Sequence, residues 1–350
     1  MTELRWRSAD DDGGQPALFS DEELGTRHIG RGEYAGLEFL HVKAGRIINT
    51  VPKASRVPFR HTINAYRGCS HACSYCYARP THEYLGLGIG SDFDTKIVVK
   101  VNAVERLRAE LASTRWAGET IAMGTNTDPY QRCEGKYRLT RGIVEVLGEA
   151  ANPFSILTKS PLILGDLGRL QAAAQHTEVA TSFSIGTLDE EVWRASEPGT
   201  AHPRKRIEAV ARLNDGGIPC GVLMAPVLPG LSDTDEQLRP VVEACVAAGA
   251  VSISAIALHL RPGVRRHFMA WLAGYRPDLV AEYEHRFRRA YLPTVDQAAL
   301  SQRVRAMVSD ARGRWDPPRR HRTVVSCAAP AAPTPSVWAG SQLALDLRSL

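Results

Sequence analysis

Three cysteines that lie close together are the residues of this sequence with the clearest chemical use. Cys69, Cys73 and Cys76 fall within eight positions and have the spacing C-x3-C-x2-C. A loop with this spacing can direct three thiolates at one small object. Iron–sulfur clusters are bound by cysteine thiolates, and a cluster that is only a redox centre normally has four of them. Three thiolates from one loop would leave one iron open to a substrate or cofactor.

Two other interpretations of these cysteines stay open on spacing alone. Cys69, Cys73 and Cys76 could form a closed zinc site together with His82, because zinc takes four such ligands at similar local spacings. The three thiols could also be unliganded, since free cysteines are common as small buried hydrophobic residues. The choice depends on what the rest of the chain places beside the cysteines.

A regular alternation of short and long segments begins at His61. Short apolar runs rich in Val, Ile and Phe alternate with amphipathic segments of helical length, which is the pattern of βα units around a parallel sheet. The predicted strands are Thr62–Tyr66, Thr120–Gly124, Phe154–Thr158, Val179–Ser184, Pro219–Ala225 and Val251–Ala257. The predicted helices are Asn102–Thr114, Tyr137–Ala150, Pro161–Gln175, Pro203–Asp215 and Asp233–Ala248, the last with a capping-box pattern from Asp233 to Glu236. Six such units fit a partial (β/α)6 barrel of the α/β class.

Polar or backbone-exposing residues follow most of these predicted strands. The second strand is followed by Thr125–Gln131, the third by Lys159 and Ser160, and the fifth by Pro226–Gly230, while the fourth ends in Ser184. The carboxyl ends of parallel strands lie at one edge of the sheet, where βα proteins place their chemistry. A purely structural role for these segments does not account for so many polar ends. The sequence therefore predicts an active site there, with the cysteine loop in it.

These motifs resemble those of a known enzyme superfamily. The pattern C-x3-C-x-aromatic-C, in which Tyr75 is the aromatic residue, resembles the hallmark of the radical S-adenosylmethionine (SAM) superfamily. The motifs G-C-S-H-x-C-x-Y-C-Y, T-D-P-Y-Q, L-T-K-S and S-F-S-I, in this order over roughly residues 60 to 260, resemble its spore photoproduct lyase-like branch, which repairs a thymine dimer in DNA. The resemblance implies a partial (β/α)6 barrel, a 4Fe-4S cluster on the three cysteines, and SAM as cofactor.

The resemblance also implies which residues bind SAM. Thr127 and Asp128 stand where the branch has a Ser-Asp pair that meets the methionyl group, and Lys159 stands at the position that binds the SAM carboxylate. Ser184 matches the serine that meets the ribose, and Tyr75 the aromatic residue beside the adenine. The chemistry agrees, because a zwitterionic methionyl group needs a cation for its carboxylate and an acceptor for its ammonium group.

The implied function is that of a radical SAM enzyme. The cluster, reduced by an electron donor of the flavodoxin or ferredoxin type, would cleave SAM to a 5′-deoxyadenosyl radical that abstracts hydrogen from the substrate, and that substrate could be nucleic acid. One position departs from the branch: Thr125 stands where spore photoproduct lyase has a cysteine hydrogen-atom donor. The nearest cysteine, Cys133, is a weak catalytic candidate. The alternative function is a zinc-stabilised nucleic-acid-binding protein without catalysis.

The composition of the chain is used to predict its cellular compartment. The chain has 350 residues, of which 44% are hydrophobic, enough for a large core. Seven cysteines, an odd number, indicate metal or redox chemistry rather than a disulfide framework. No apolar run reaches the length of a membrane span, and the N-terminus lacks the apolar stretch of a signal peptide. We therefore expect a cytoplasmic protein with no membrane partner.

Positive charge is concentrated near the C-terminus. Between Arg261 and Arg322 there are fourteen arginines, no lysine and six acidic residues, a net charge of +8 that leaves −3 for the rest of the chain. Planar, permanently charged guanidinium groups suit phosphate contacts, although solvated helix faces would have the same composition. Three helices are predicted in this segment, at Val264–Ala273, Pro277–Tyr291 and Thr294–Arg312.

Four regions follow from these patterns. Residues 1–60 form an N-terminal extension of which about the first 25 are expected to be disordered, because they are polar and acidic. Residues 61–260 form the barrel, 261–325 an Arg-rich helical segment, and 326–350 a flexible tail.

Both ends of the chain carry a short motif for a possible partner. Gln342–Leu347 resembles the hexapeptide form of bacterial sliding-clamp-binding motifs, and Gln15–Phe19 resembles the pentapeptide form less closely. Such motifs place a few apolar side chains in a pocket of the clamp and so anchor a tail. Chance is the alternative, because suitably spaced leucines are common in a Leu-rich chain.

Overall fold

The structure, a computed structural model, describes residues 24–314 apart from 53, 54 and 56. Its strands are β1 (Leu24–Ile29), β2 (Glu38–Val42), β3 (Ile48–Thr50), β4 (His61–Ile63), β5 (Tyr66–Arg67), β6 (Lys96–Lys100), β7 (Ile121–Met123), β8 (Phe154–Thr158), β9 (Val179–Ser184), β10 (Cys220–Val227) and β11 (Ile253–Ala257). Its α-helices are α1 (Ser91–Thr95), α2 (Ala103–Leu111), α3 (Glu134–Tyr137), α4 (Leu139–Glu149), α5 (Leu167–Ala174), α6 (Glu190–Ser196), α7 (Pro203–Asp215), α8 (Asp235–Ala247), α9 (Val264–Tyr275), α10 (Val280–Arg286) and α11 (Thr294–Arg314).

The main sheet has seven strands in the order β11-β10-β9-β8-β7-β4-β3. Six of these strands are parallel to one another, namely β11, β10, β9, β8, β7 and β4. The seventh, β3, pairs antiparallel with β4 at the edge of the sheet. Helices connect successive parallel strands, as a βα repeat requires. This confirms the predicted partial (β/α)6 arrangement, and it places the carboxyl ends of all six parallel strands at one edge.

A second, four-stranded sheet has the order β1-β2-β6-β5. The single strand predicted at Thr62–Tyr66 is wrong, because β4 belongs to the main sheet and β5 to the second one. The two residues between them are used elsewhere: Asn64 Oδ1 accepts a hydrogen bond from Asn126 N at 3.2 Å, and Ala65 O accepts one from Lys100 N at 3.0 Å. The chain thus changes sheets just before the cysteine loop.

The C-terminal segment is helical, as predicted, and it packs on the barrel. Phe268, Tyr283 and Phe287 form a buried cluster that also contains Tyr75. Two polar bonds hold the helices in place: Tyr283 Oη donates to Pro229 O at 2.6 Å, and Trp271 Nε1 donates to Ala195 O at 2.9 Å. The main core is a separate cluster that includes Leu107, Ile143, Phe154, Leu213 and Val242, all buried.

Three predicted helices differ in detail. The helix predicted at Pro161–Gln175 begins as a 3-10 helix, Pro161–Asp166, and continues as α5. The capping box of α8 uses Thr234 and Gln237 instead of Asp233 and Glu236, because Asp233 accepts a hydrogen bond from Gly230 N at 2.8 Å in the preceding turn. The helix predicted at Pro277–Tyr291 is shorter, a 3-10 turn followed by α10.

Several expectations concern residues that the structure does not describe. The clamp-like motifs at Gln15–Phe19 and Gln342–Leu347 and most of the N-terminal stretch expected to be disordered lie outside the described residues. Within residues 24–314, apart from the gaps, no helix is both long enough and apolar enough to cross a bilayer.

Candidate functional site

The cysteine loop, residues 68–79, is held by contacts within the protein. Gly68 opens it with φ +79°, and a Cβ there would lie 2.9 Å from the carbonyl oxygens of Phe93 and Lys96. Arg79 closes it and is 1% exposed; its Nε and Nη2 donate to Cys73 O at 3.1 and 2.9 Å. The same guanidinium forms an ion pair with Asp94 at 2.8 Å. A buried charge needs such partners, so Arg79 fixes the backbone around the middle cysteine.

The loop that follows β7 holds the other end of the cysteine loop. Gln131 Oε1 accepts from Ser70 N at 3.0 Å, while its Nε2 donates to Gly68 O at 3.0 Å and to Thr127 Oγ1 at 2.9 Å. Thr127 Oγ1 in turn donates to Gly68 O at 2.8 Å. Thr127, predicted to meet SAM, therefore lies beside the cysteine loop and supports it. Its contact with SAM stays a prediction.

The three thiols are shielded from water. Cys69 and Cys73 are buried and Cys76 is partly buried. Burial raises the pKa of Cys69 to about 12 and also raises the pKa of Cys73 and Cys76. Thiols in such surroundings stay neutral unless a bound cation compensates the thiolate charge. Burial therefore disfavours a free thiolate at these positions, and a metal-binding role is compatible with it.

The zinc alternative finds no support in the geometry. In the part of the chain that the structure describes, no three His, Cys, Asp or Glu side chains converge as ligands of one metal ion. His82, the proposed fourth ligand, instead has Nε2 3.0 Å from Lys96 O, with its ring against Phe93. A 4Fe-4S cluster fits better than a single ion, because each thiolate then binds a different iron and the sulfur atoms need not meet at one point.

Lys159 and Ser184 meet at the ends of the neighbouring strands β8 and β9. Lys159 Nζ donates to Ser184 Oγ, and it lies 3.4 Å from Ala225 O and 5.8 Å from the centre of the Tyr75 ring. Ser184 Oγ donates to Ala225 O at 2.7 Å. Three of the residues predicted to bind SAM are therefore brought together beside the cysteine loop, which supplies Tyr75.

A buried carboxylate that the sequence analysis missed joins this group. Glu197 accepts hydrogen bonds from Tyr75 Oη and from Arg206, and it forms an ion pair with Lys159 at 3.4 Å. Burial would raise its pKa, but Arg206 and then Lys159 outweigh this effect and lower it to about 2. Glu197 is therefore charged at neutral pH. It lies in the loop between α6 and α7, in the run Ser196-Glu197-Pro198-Gly199-Thr200, which has no periodicity to mark it.

Asp128, predicted to meet the methionyl group of SAM, is already hydrogen-bonded within the protein. Its Oδ1 accepts from Tyr130 N at 2.9 Å and Thr158 Oγ1 at 2.7 Å, and its Oδ2 accepts from Lys159 N at 2.7 Å. His71 Nδ1, from the cysteine loop, lies 3.4 Å from Oδ2. Asp128 thus connects the loops after β7 and β8 with the cysteine loop. A contact with SAM would use the acceptor capacity that remains, and it stays a prediction.

Cys133, the weak catalytic candidate, lies in the interior of the protein. Its side chain is 0% exposed and belongs to the main hydrophobic core. Burial raises the pKa of its thiol well above the ordinary value. The loop after β7 turns inward before α3, and this turn carries Cys133 away from the open edge of the sheet.

An open cavity of about 420 Å³ lies next to these groups. The cavity is lined by the cysteine loop and by the loops after β7, β8 and α6. The lining residues are His71, Arg132, Ser160, Pro161, Leu162, Gly199, Thr200 and Ala201. The cavity therefore opens beside the site, near the carboxyl ends of the strands.

A family model decides the classification. The model described as Radical SAM superfamily matches residues 63–239, from the end of β4 into α8. The chain is a member of the radical SAM superfamily. The matched region contains the cysteine loop, Lys159, Ser184 and Glu197.

Known relatives agree with this assignment. The uncharacterized protein Rv2578c of Mycobacterium tuberculosis is 43% identical over 304 residues, covering 86% of this chain and 88% of its own. The Radical SAM Nalpha-GlyT isomerase of Pseudomonas phage M6 is 26% identical over 185 residues, covering 52% of this chain and 35% of its own. A spore photoproduct lyase double mutant solved with bound AdoMet and dinucleoside spore photoproduct has a TM-score of 0.56 at 17% identity, covering 82% of this chain and 85% of its own. The last comparison confirms the predicted fold.

Radical SAM membership implies a 4Fe-4S cluster and SAM, and the residues of this chain fit both groups. The donor set for the cluster is three shielded thiols on one fixed loop. The set for SAM is an ammonium group and a hydroxyl at adjacent strand ends, with the ring of Tyr75 from the cysteine loop 5.8 Å from the ammonium group.

The first expected result concerns the cluster. Anaerobically prepared protein should contain about four irons and four sulfides per chain, and Cys69→Ala, Cys73→Ala or Cys76→Ala should each prevent assembly because each thiolate binds one iron. Iron and acid-labile sulfide analysis measures this. Cys245→Ala, which removes a buried thiol from α8, is the matched control and should keep its iron. Stoichiometric zinc without sulfide in the wild type would contradict the assignment.

The second concerns Lys159. We expect Lys159→Ala to weaken SAM binding by about 1.5–3 kcal/mol, the range for a hydrogen bond to a charged group. Calorimetric titration of the cluster-containing protein with SAM gives the Kd. Lys205→Ala, in which an exposed lysine paired with Glu208 is removed, should leave the Kd unchanged. An unchanged Kd in Lys159→Ala would remove this lysine from the site.

The third concerns Glu197. Glu197→Gln leaves the buried Arg206 without its counter-ion, so we expect the free energy of unfolding to fall by about 3–5 kcal/mol. Denaturant titration of the wild type and variant measures the change. Glu190→Gln, which removes an exposed carboxylate paired with Arg194, should cost less than about 1 kcal/mol. Equal losses of unfolding free energy in the two variants would show that the protein does not need the Glu197 carboxylate to neutralise Arg206.

Proposed function

We propose that this radical SAM enzyme generates a 5′-deoxyadenosyl radical at a 4Fe-4S cluster on Cys69, Cys73 and Cys76, and abstracts hydrogen from a nucleic-acid substrate. The observation that carries the proposal is the contact between two parts of the site. Lys159, at the end of β8, lies over the ring of Tyr75, which sits inside the cysteine loop. A ligand held by Lys159 and Ser184 is thereby held next to the three thiols.

Each residue of the site has a definite task in this proposal. When bound, the reduced cluster and SAM supply the radical. Lys159 holds the SAM carboxylate by charge, Ser184 offers its hydroxyl to the ribose, and Tyr75 gives the adenine an aromatic neighbour. Glu197 and Arg206 keep Lys159 and Tyr75 in place. The apolar cluster of Tyr75 with the C-terminal helices excludes water from one side, which a radical intermediate needs.

The assignment of nucleic acid as substrate has two supports. The Arg-rich segment folds onto the barrel next to the cysteine loop, since its buried cluster includes Tyr75. The fold is also similar to that of a protein solved with a dinucleoside photoproduct. Part of the positive charge is neutralised within the chain, however, because Arg276, Arg286 and Arg303 pair with carboxylates.

The overall reaction after hydrogen abstraction is left open in this proposal. One similar protein is named a lyase and another an isomerase, and both names describe those proteins alone. Thr125 stands where spore photoproduct lyase has its cysteine donor, and Cys133 is buried, so a lyase-type reaction would need a different hydrogen-atom donor. A flavodoxin or ferredoxin is the proposed source of the electron.

The test follows hydrogen from substrate to product. Dithionite-reduced protein should cleave SAM to 5′-deoxyadenosine slowly without substrate. The cleavage should be faster when an oligonucleotide that is a substrate is added. With a deuterated oligonucleotide in ordinary water, 5′-deoxyadenosine should gain deuterium, as mass spectrometry would show. Cys76→Ala should form none. No 5′-deoxyadenosine from the wild type would overturn the enzyme proposal, whereas unlabelled 5′-deoxyadenosine with every DNA and RNA tried would overturn only the substrate.

A further inference from the structure

Two loops from opposite ends of the parallel sheet meet through aromatic rings. Tyr77 follows the cysteine loop's third cysteine, after the first parallel strand β4, and His259 follows the last one, β11. Their ring centres are 5.7 Å apart. His259 stacks in turn on Tyr291, with centres 5.3 Å apart and planes 23° from parallel. Together with Arg261, these rings form what we call the mouth row: Tyr77, His259, Tyr291 and Arg261.

The mouth row is fixed by its backbone. His259 and Tyr291 pair in an antiparallel bridge, and Leu260 N donates to Ala290 O at 2.7 Å, which sets the two rings side by side. Tyr77 Oη donates to Thr125 O at the end of β7, which fixes the ring at the inner end. A row held in this way loses little conformational entropy when a ligand binds to it.

The exposure of Tyr77 distinguishes this residue of the mouth row from an ordinary core residue. Tyr77 is 45% exposed, although it lies within the cysteine loop. His259 and Tyr291 are partly buried and support it from one side. An aromatic ring that is rigid, exposed and next to the site of chemistry offers a face to a flat ligand.

Arg261 adds a cation at the end of the mouth row that is opposite Tyr77. Its Nε and Nη2 donate to Tyr291 Oη at 3.2 and 2.9 Å, and its guanidinium lies 6.0 Å from the centre of that ring. Among residues 24–314, leaving out the gaps, no carboxylate pairs with Arg261, in contrast to Arg276 and Arg286. Gly263 brings the following turn against Pro80, where a Cβ would lie 3.1 Å from the proline ring, so Arg261 is anchored near the cysteine loop.

We propose that the mouth row is a nucleotide subsite, in which one base of a single-stranded or unpaired nucleotide stacks on Tyr77 and its phosphate binds Arg261. A planar group with an attached anion is the ligand whose chemistry matches an exposed ring and a guanidinium that has no carboxylate partner among the described residues. The inference deepens the proposed function, on which it rests, by assigning the position where the nucleic acid is held. It selects single strands, because a base within a duplex has no free face to offer.

The experiment measures binding of a fluorescent single-stranded oligothymidylate of about 12 nucleotides, within the usual site sizes, to the anaerobic, cluster-containing full chain. Tyr77→Leu should raise the Kd by about 5- to 100-fold, the effect of losing one stacked base, while Tyr77→Phe keeps the ring and should stay near wild type. His259→Leu, which lies outside the cysteine loop, should also raise the Kd. An oligomer of the same length without bases should show no difference between wild type and ring variants.

Salt dependence tests the arginine separately. Arg261→Gln should lower the slope of log Kd against log salt by about 0.7, the value for one phosphate of a single strand. Arg276→Gln, the matched control whose guanidinium pairs with Asp278, should leave slope and Kd unchanged.

Two outcomes overturn the inference, and they can be told apart. If the wild type binds the oligonucleotide but the Tyr77→Leu and His259→Leu variants bind it equally well, the mouth row is not the subsite, while the nucleic-acid function stands. If the wild type binds no oligonucleotide at about 50 mM salt, where phosphate contacts are strong, the nucleic-acid proposal fails and the subsite fails with it.

Discussion

One buried carboxylate connects the parts of this site. Glu197 binds Tyr75 of the cysteine loop, Arg206 of α7 and Lys159 of β8, and Arg206 also donates to Ser184 O at 3.0 Å at the end of β9. A buried charge is tolerated only when its partners are all in place, so these elements must assemble together. Because Glu197 comes from an irregular loop, that loop is as much part of the site as the strands. The positions of Lys159 and Tyr75 therefore depend on Glu197 and Arg206, two residues that contact no cofactor in the proposal.

The sequence was sufficient to predict the repeated elements. β8 and β9 have the predicted bounds because each is a run of five or six residues rich in apolar and β-branched or small side chains, with polar or turn-forming residues on both sides. The strand β6 was missed, although Ile97-Val98-Val99 is apolar, because it lies outside the βα alternation and pairs in the second sheet. The split of β4 from β5 was missed for a related reason: the pattern of one strand cannot show that its two halves pair with different sheets.

The site was predicted in part, and the limit has a physical cause. Lys159, Ser184 and Tyr75 were recognised because they follow strands or belong to a motif, and they do lie together. Glu197 has neither signal, since its role depends on a contact with Tyr75, 122 positions away. Cys133 shows the opposite error. Its place after a strand suggested access to the site, but a short inward turn buries the thiol, and sequence spacing does not reveal the direction of such a turn.

The attachment of the cysteine loop has a consequence for how long the protein lasts in air. Small zinc domains unfold without their metal, because metal binding supplies their folding energy. In this chain Arg79, Gln131 and Gly68 shape the loop through bonds to carbonyl and amide groups, none of which involves a thiol. The shape of the loop therefore does not depend on a bound metal. If the three cysteines hold the proposed cluster, the loop would stay ordered after the cluster was lost, and the protein could be loaded again without refolding.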